Sequence, residues 1–340
     1  MLMSVANSLT ESEKSVVFLL PENVPWHSEM HGKLETLLSK PDRKFEIIAP
    51  AQDIEPGTFI LDRYFKSEVR DRYRPTVGHT KFIASNDETS PFRDSFIIVM
   101  VKSKAQLSNW VDFIKGYEKE KRAYGSHGCL FILEYLQKSG EKHHSTMNTV
   151  KWDDFIHDYD KHMFALLSVS QIKENREILE YLSEFISLLC HDDVELAAEL
   201  AAHGMECVFA PEKAIADINE NALRNNGDTY NIAIDSRQIS SILWEAQIKI
   251  LFPKIEKFKS DLIVACEQFF NDGFTYTTPY GREKIDYHEL EIGEILFLYS
   301  EGRVNLPEEL VKKAKFYKEC RNSLAHSTPI SFDDVKKILK

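Results

Sequence analysis

Three hundred and forty residues are more than one core usually organises, and they predict two or three domains. A hydrophobic share of 43% with 28% charged residues excludes a disordered or collagen-like chain, and only 13 glycines and 12 prolines favour long helices over tight-turned β architecture. The net charge of -12 argues against a broad surface for duplex DNA, because phosphate contacts supply most non-specific affinity.

The first 150 residues alternate short apolar runs with amphipathic stretches, the pattern of an α/β layer. Ser15–Leu20 reads as a buried strand ending at Pro21, and His27–Leu38 as a helix through Met30, Leu34, Leu37 and Leu38. Phe45–Ile48 is a second strand, Phe59–Leu61 a possible third, Phe96–Val101 the strongest, and Cys129–Leu133 the last. A helix through Leu107, Trp110, Phe113, Ile114 and Tyr117 lies between the final two, so a mainly parallel sheet is expected. Residues 68–94, rich in Arg, Pro, Ser and Asp, read as a surface excursion.

From Trp152 the strand signals stop. Asp153–Leu167, Glu174–Leu189 and Asp193–Ala202 read as helices, and the loop Asn219–Tyr230 as a boundary. Beyond it, Ile239–Phe252 and Ile255–Phe270 are helical on either side of Pro253, followed by helices near Tyr287–Tyr299 and Pro307–Leu324. The expected organisation is an α/β domain over 1–150, an acidic helical segment over 151–234 and a helical bundle over 235–340. Charge separates them: the first carries 20 basic and 20 acidic side chains, the second 6 and 17, the third 16 and 17. The acidic middle would repel nucleic acid and suits a protein partner.

Cys129, Cys190, Cys207, Cys266 and Cys320 are widely spaced with no CxxC pair, which predicts reduced, buried thiols and no zinc knuckle. No apolar run is long enough to span a bilayer, and residues 1–14 lack the pattern of a signal peptide, so a cytoplasmic location is expected.

Nucleotide motifs are missing from the α/β region. Neither GxxxxGK[ST] nor GxGxxG occurs; the first strand leads into Pro21-Glu22-Asn23-Val24-Pro25-Trp26, whose two prolines each remove a backbone donor. Lys102-Ser103-Lys104 follows the strongest strand where a metal-binding acidic pair would sit. The order of elements over about residues 15–200 resembles a STAND-type P-loop ATPase that has lost its phosphate and magnesium residues. That implies a degenerate P-loop-like fold used for signalling or recognition without hydrolysis.

Clusters that might hold a metal or a proton relay are weak. His143-His144 are adjacent and cannot readily face one ion; His157, Asp160 and His162 sit at helical offsets of three and five, so the two imidazoles do not share one face; His191-Asp192-Asp193 reads as a helix start. No nucleophile elbow accompanies them. No cofactor and no metal are therefore expected.

The C-terminal helix differs. Leu310, Ala314, Tyr317 and Leu324 mark an inward stripe on which Arg321 also falls, and Asn322 and His326 are four apart on an adjoining face. A guanidinium on an apolar face needs a partner or an opening; Glu289, Glu291 and Glu294 are candidate partners. A fixed cation, an amide and an imidazole together suit phosphodiester chemistry without metal. The run Arg321-Asn322-Ser323-Leu324-Ala325-His326 resembles the Arg, polar residue, spacer, His signature of HEPN domains. That resemblance implies a helical HEPN-like bundle, pairing as a homodimer, with metal-independent RNA cleavage in prokaryotic defence systems. Arg321 would hold the scissile phosphate, His326 would move the ribose 2′-hydroxyl proton, and Asn322 would orient them. The alternative is an adaptor in which the same scaffold pairs or binds partners without cleaving.

Overall fold

The computed structural model describes residues 1–90, 92–124, 128–137, 146–270, 274–277, 281 and 283–340; His143 and His144 lie outside the described residues. Its contacts divide the chain into two units, Met1–His157 and Asp158–Lys340.

The first unit runs α1 (Leu2–Thr10), β1 (Val16–Pro21), α2 (His27–Leu38), β2 (Lys44–Ile48), α3 (Pro56–Tyr64), α4 (Ser67–Arg70), α5 (His79–Asn86), β3 (Ser95–Val101), α6 (Lys104–Ala123), β4 (Leu130–Gln137) and β5 (Asn148–Lys151). The strands form one sheet in the order β2-β3-β4-β1-β5, and every pairing is parallel. Parallel strands need crossovers, and the crossing helices cover both faces, so the inner strands β3, β4 and β1 carry near-continuous apolar runs. Val16, Phe18 and Leu20 pack with Val5 and Leu9 of α1 and Leu34 and Leu38 of α2. Val17 and Leu19 face the other way, in the core shared by Ile60, Ile83, Leu107, Trp110 and Ile114. An α/β layer with a parallel sheet is thus observed.

Three stretches of this unit differ from the sequence-based expectation: β5 adds a parallel strand beyond Cys129–Leu133, which was expected to be the last. Phe59–Leu61 is helical because Pro56 occupies the first turn of α3 and the Glu55 carboxylate accepts from the Thr58 N–H at 2.7 Å, starting a helix where the apolar triplet suggested a strand. The stretch 68–94 is more than a surface excursion: α5 buries Phe82 and Ile83, and Asp87 is fully buried behind it. Tyr117 Oη donates to Asp87 at 2.7 Å and Lys121 Nζ at 2.9 Å, which anchors the segment to α6. Ser103, after β3, caps α6 by accepting from the Gln106 N–H.

The second unit is helical: α7 (Asp158–Val169), α8 (Arg176–Cys190), α9 (Val194–His203), α10 (Glu206–Phe209), α11 (Pro211–Asn221), α12 (Ser236–Cys266), α13 (Ile292–Ser300), α14 (Glu308–Ala325) and α15 (Phe332–Leu339). A two-stranded antiparallel hairpin, β6 (Tyr276–Thr277) with β7 (Glu283–Lys284), interrupts it. Its helices share one core, from Tyr181 and Phe185 of α8 to Leu324 of α14 and Val335 of α15. Part of the acidity of residues 151–234 is neutralised within this unit, through Glu184 with Lys249 and Glu177 with Lys254. The two helices expected around Pro253 are a single one. Leu251, Ile255 and Leu262 remain buried on both sides of the proline, and that packing offsets the lost hydrogen bond. All five cysteines are buried and free. No described helix is long and apolar enough to cross a membrane.

The Asp87–Lys121 pair gives a stability test. Removing one partner of a buried pair leaves a stranded charge, so Lys121→Met should destabilise the protein by about 3 kcal/mol or more, and adding Asp87→Asn should restore part of it. Urea denaturation checks both; equal stability of Lys121→Met and wild type contradicts the assignment.

Candidate functional site

α14 begins with Glu308 and Glu309 at its positive end and buries Val311, Ala314, Tyr317, Cys320 and Leu324. Cys320 takes the inward place expected for Arg321. Arg321, one position on, sits at the margin with its side chain 28% exposed. Phe258 of α12 stacks on Tyr317 with ring centroids 4.1 Å apart, which fixes α12 against α14 one turn before Arg321. Glu256 of α12 and Glu291 before α13 therefore meet the guanidinium: Nε donates to Glu256 Oε1 at 3.1 Å, and Nη2 lies 3.0 Å from Glu291 Oε2. Of the three glutamates expected as partners, Glu291 is the one that pairs with Arg321, and Glu256 joins it. Glu294 is occupied elsewhere: it accepts from the Glu291 N–H in a capping box and from Lys284 Nζ at 2.6 Å.

Arg321 and Asn322 line one cavity of about 510 Å³ together with Lys318, Tyr276, Gly293 and Phe297. Asn322 is exposed. His326 is exposed at the C-cap of α14, its N–H donating to the Asn322 and Ser323 carbonyls at 3.1 Å. It does not line the cavity. The next residue, Ser327, adopts a left-handed conformation (φ 56) and lines a separate hollow with Arg237 and Trp244. Trp244 Nε1 donates to the Leu324 carbonyl at 2.7 Å and so ties down the helix end that carries His326. The structure thus brings Arg321 and Asn322 together and sets His326 a turn away at the surface. Burial pushes the Glu256 carboxyl up, but hydrogen bonds from Lys259 and Arg321 outweigh it and hold the group below the ordinary range.

A second cluster escapes sequence reasoning. His27 and His31 are four apart on α2, and both turn toward Glu134 of β4. A carboxylate only accepts, so each ring carries its hydrogen on Nε2: His27 donates to Oε1 and His31 to Oε2, both at 2.7 Å. Glu134 is 1% exposed. Burial raises its carboxyl, yet the hydrogen bonds from both imidazoles hold it below the usual value, and Glu134 in turn raises His27. The His-x-x-x-His spacing was visible in the sequence; the carboxylate, 103 residues beyond His31, was not.

The Glu256–Arg321 contact predicts a pH dependence. A carboxyl held below its ordinary value contributes stability above that value and loses it as pH falls through the folded-state range. Glu256→Gln should therefore cost at most about 1 kcal/mol at pH 7, with the difference from wild type shrinking toward about pH 3. Urea unfolding at both pH values checks it; a difference that grows on acidification contradicts the pairing.

No protein-family model matches the chain, and no curated protein matches it. Among solved structures, one described as the crystal structure of Cdc6p from Pyrobaculum aerophilum is similar at 13% identity and a TM-score of 0.34, over 99% of this chain and 82% of that chain.

Proposed function

We propose that the helical unit is a metal-independent RNA endonuclease of the HEPN kind, completed when two copies of the chain pair, and that the protein belongs to a prokaryotic defence system. The observation that carries the reading is the end of α14, where a half-buried arginine, an exposed amide and an exposed imidazole stand within two turns. Arg321 would exchange a carboxylate partner for the scissile phosphate, His326 would take the 2′-hydroxyl proton, and Asn322 would orient them. Within one chain His326 lies outside the Arg321 cavity, which is why a second copy is part of the proposal. Phe297, 46% exposed and lining that cavity, supplies apolar surface for pairing. The sheet unit would regulate, and the acidic residues 151–234 would meet a protein partner; neither a membrane nor duplex DNA is part of the reading.

A second reading has an observation of its own. Arg321 is engaged by both Glu256 and Glu291, and RNA must displace at least one of them. If those pairs persist, the unit pairs and binds without cleaving, as an adaptor.

Cleavage of single-stranded RNA in EDTA separates the two. On the enzyme reading, wild type cleaves RNA and leaves DNA intact, since DNA lacks the 2′-hydroxyl nucleophile. His326→Ala should lower the rate about 10² to 10⁴-fold while the fold persists, because the side chain is exposed. Light scattering should report a dimer. A monomer that cleaves at the wild-type rate, or His326→Ala with normal activity, overturns the proposal.

A further inference from the structure

We propose that His27, His31 and Glu134 form a mononuclear site for a divalent ion of the zinc class, with the fourth position open to water or a ligand. Their ligand atoms lie within 4.8 Å of one another. Spacing of four on α2 places both imidazoles on one face, with ring centroids 4.3 Å apart, and both Nε2 atoms converge on a single carboxylate. Two imidazole nitrogens and one carboxylate oxygen are a borderline donor set, suited to zinc and similar first-row ions; magnesium and calcium require oxygen ligands.

The surroundings call for a cation. Glu134 projects from β4 between Ile132 and Leu136, on the face packed by α1 and α2, and it is the one charged residue on that face of the strand. A carboxylate buried in an apolar layer draws positive charge. A divalent ion supplies it directly. Binding displaces the hydrogen from each Nε2; a neutral ring regains it on Nδ1, and an imidazolium releases one proton to solvent, so charge and protons balance.

Holding an ion requires the cluster to open. Nitrogen and oxygen now 2.7 Å apart must separate to about 3.3 Å to hold zinc at about 2.0–2.2 Å from each. His27 can yield, because it is the first residue of α2 and its side chain is 26% exposed, against 12% for His31. The ion would enter from the His27 side, since His27 is the more exposed of the two imidazoles. The connection from β1 to α2, which lacks a glycine-rich phosphate loop, delivers these imidazoles instead.

The test uses full-length protein without a histidine tag, made metal-free by chelation. Zinc titrated against a chromophoric chelator should bind at one equivalent per chain, and cobalt should give the intense visible bands of a four-coordinate site. Glu134→Gln and His27→Gln should each weaken zinc binding about a hundredfold or more. Glu134→Gln risks the fold, whereas His27→Gln, at a partly exposed position, does not. In wild type the His27 and His31 ring signals should shift in nitrogen-detected NMR on zinc addition. Absence of stoichiometric binding by folded wild type, unmoved ring signals, or a folded His27→Gln that binds as tightly as wild type would overturn the site. These readouts involve no RNA, so they stand or fall apart from the nuclease reading.

Discussion

A parallel sheet covered on both faces has no wet side on which to place a charge. β1 buries Val16 through Leu20 without a break, and β3 and β4 are nearly as dry. A carboxylate in that layer persists only if other groups satisfy it, and Glu134 is satisfied by two imidazoles brought from the helix that follows β1. The same constraint explains Asp87, which draws a tyrosine hydroxyl and a lysine to it and thereby pins the connection between α5 and β3. The local backbone cooperates. Trp26 takes a left-handed conformation (φ 50) just before α2, so that the helix opens with His27 over the sheet.

In the helical unit charges are shared at half-exposed margins rather than buried. Arg321 is held by carboxylates from two other elements, and Lys259 reaches Glu256 as well. Such an arrangement keeps the guanidinium fixed in direction while leaving it exchangeable, because each pair lies partly in solvent and is individually weak. An incoming phosphate with two charged oxygens can match a bidentate guanidinium better than two separate carboxylates do. Exchange would also leave Glu256 with Lys259, whose Nζ lies 4.0 Å from Glu291 as well.

Much of the architecture was legible because it is written in periodicity. Runs such as FIIVMV and CLFIL mark buried strands, and apolar residues three and four apart mark the helices. Phe59–Leu61 was misread because three apolar residues fit either element; the capping carboxylate of Glu55 decides for helix. At Pro253 a local rule suggested a break, and tertiary packing overrode it. Arg321, four after Tyr317 and three before Leu324, has the spacing of an inward residue, but Val311 and Cys320 carry the stripe and turn Arg321 to the margin. The imidazole–carboxylate cluster could not be read at all. It exists only through the register that sets Glu134 beside Phe18 of β1, a long-range pairing with no signature in local sequence.

The central claim is that Arg321 trades carboxylate for phosphate while His326 shares the same ligand. The most direct measurement is NMR of selectively labelled arginine and histidine in the wild-type protein, on addition of a 2′-O-methyl RNA that cannot be cleaved. The account predicts that the Arg321 guanidinium and the His326 ring signals move together over one binding curve, and that Glu256→Gln tightens that curve. Arg321 signals that stay fixed while RNA binds, with the carboxylate pairs intact, would contradict it.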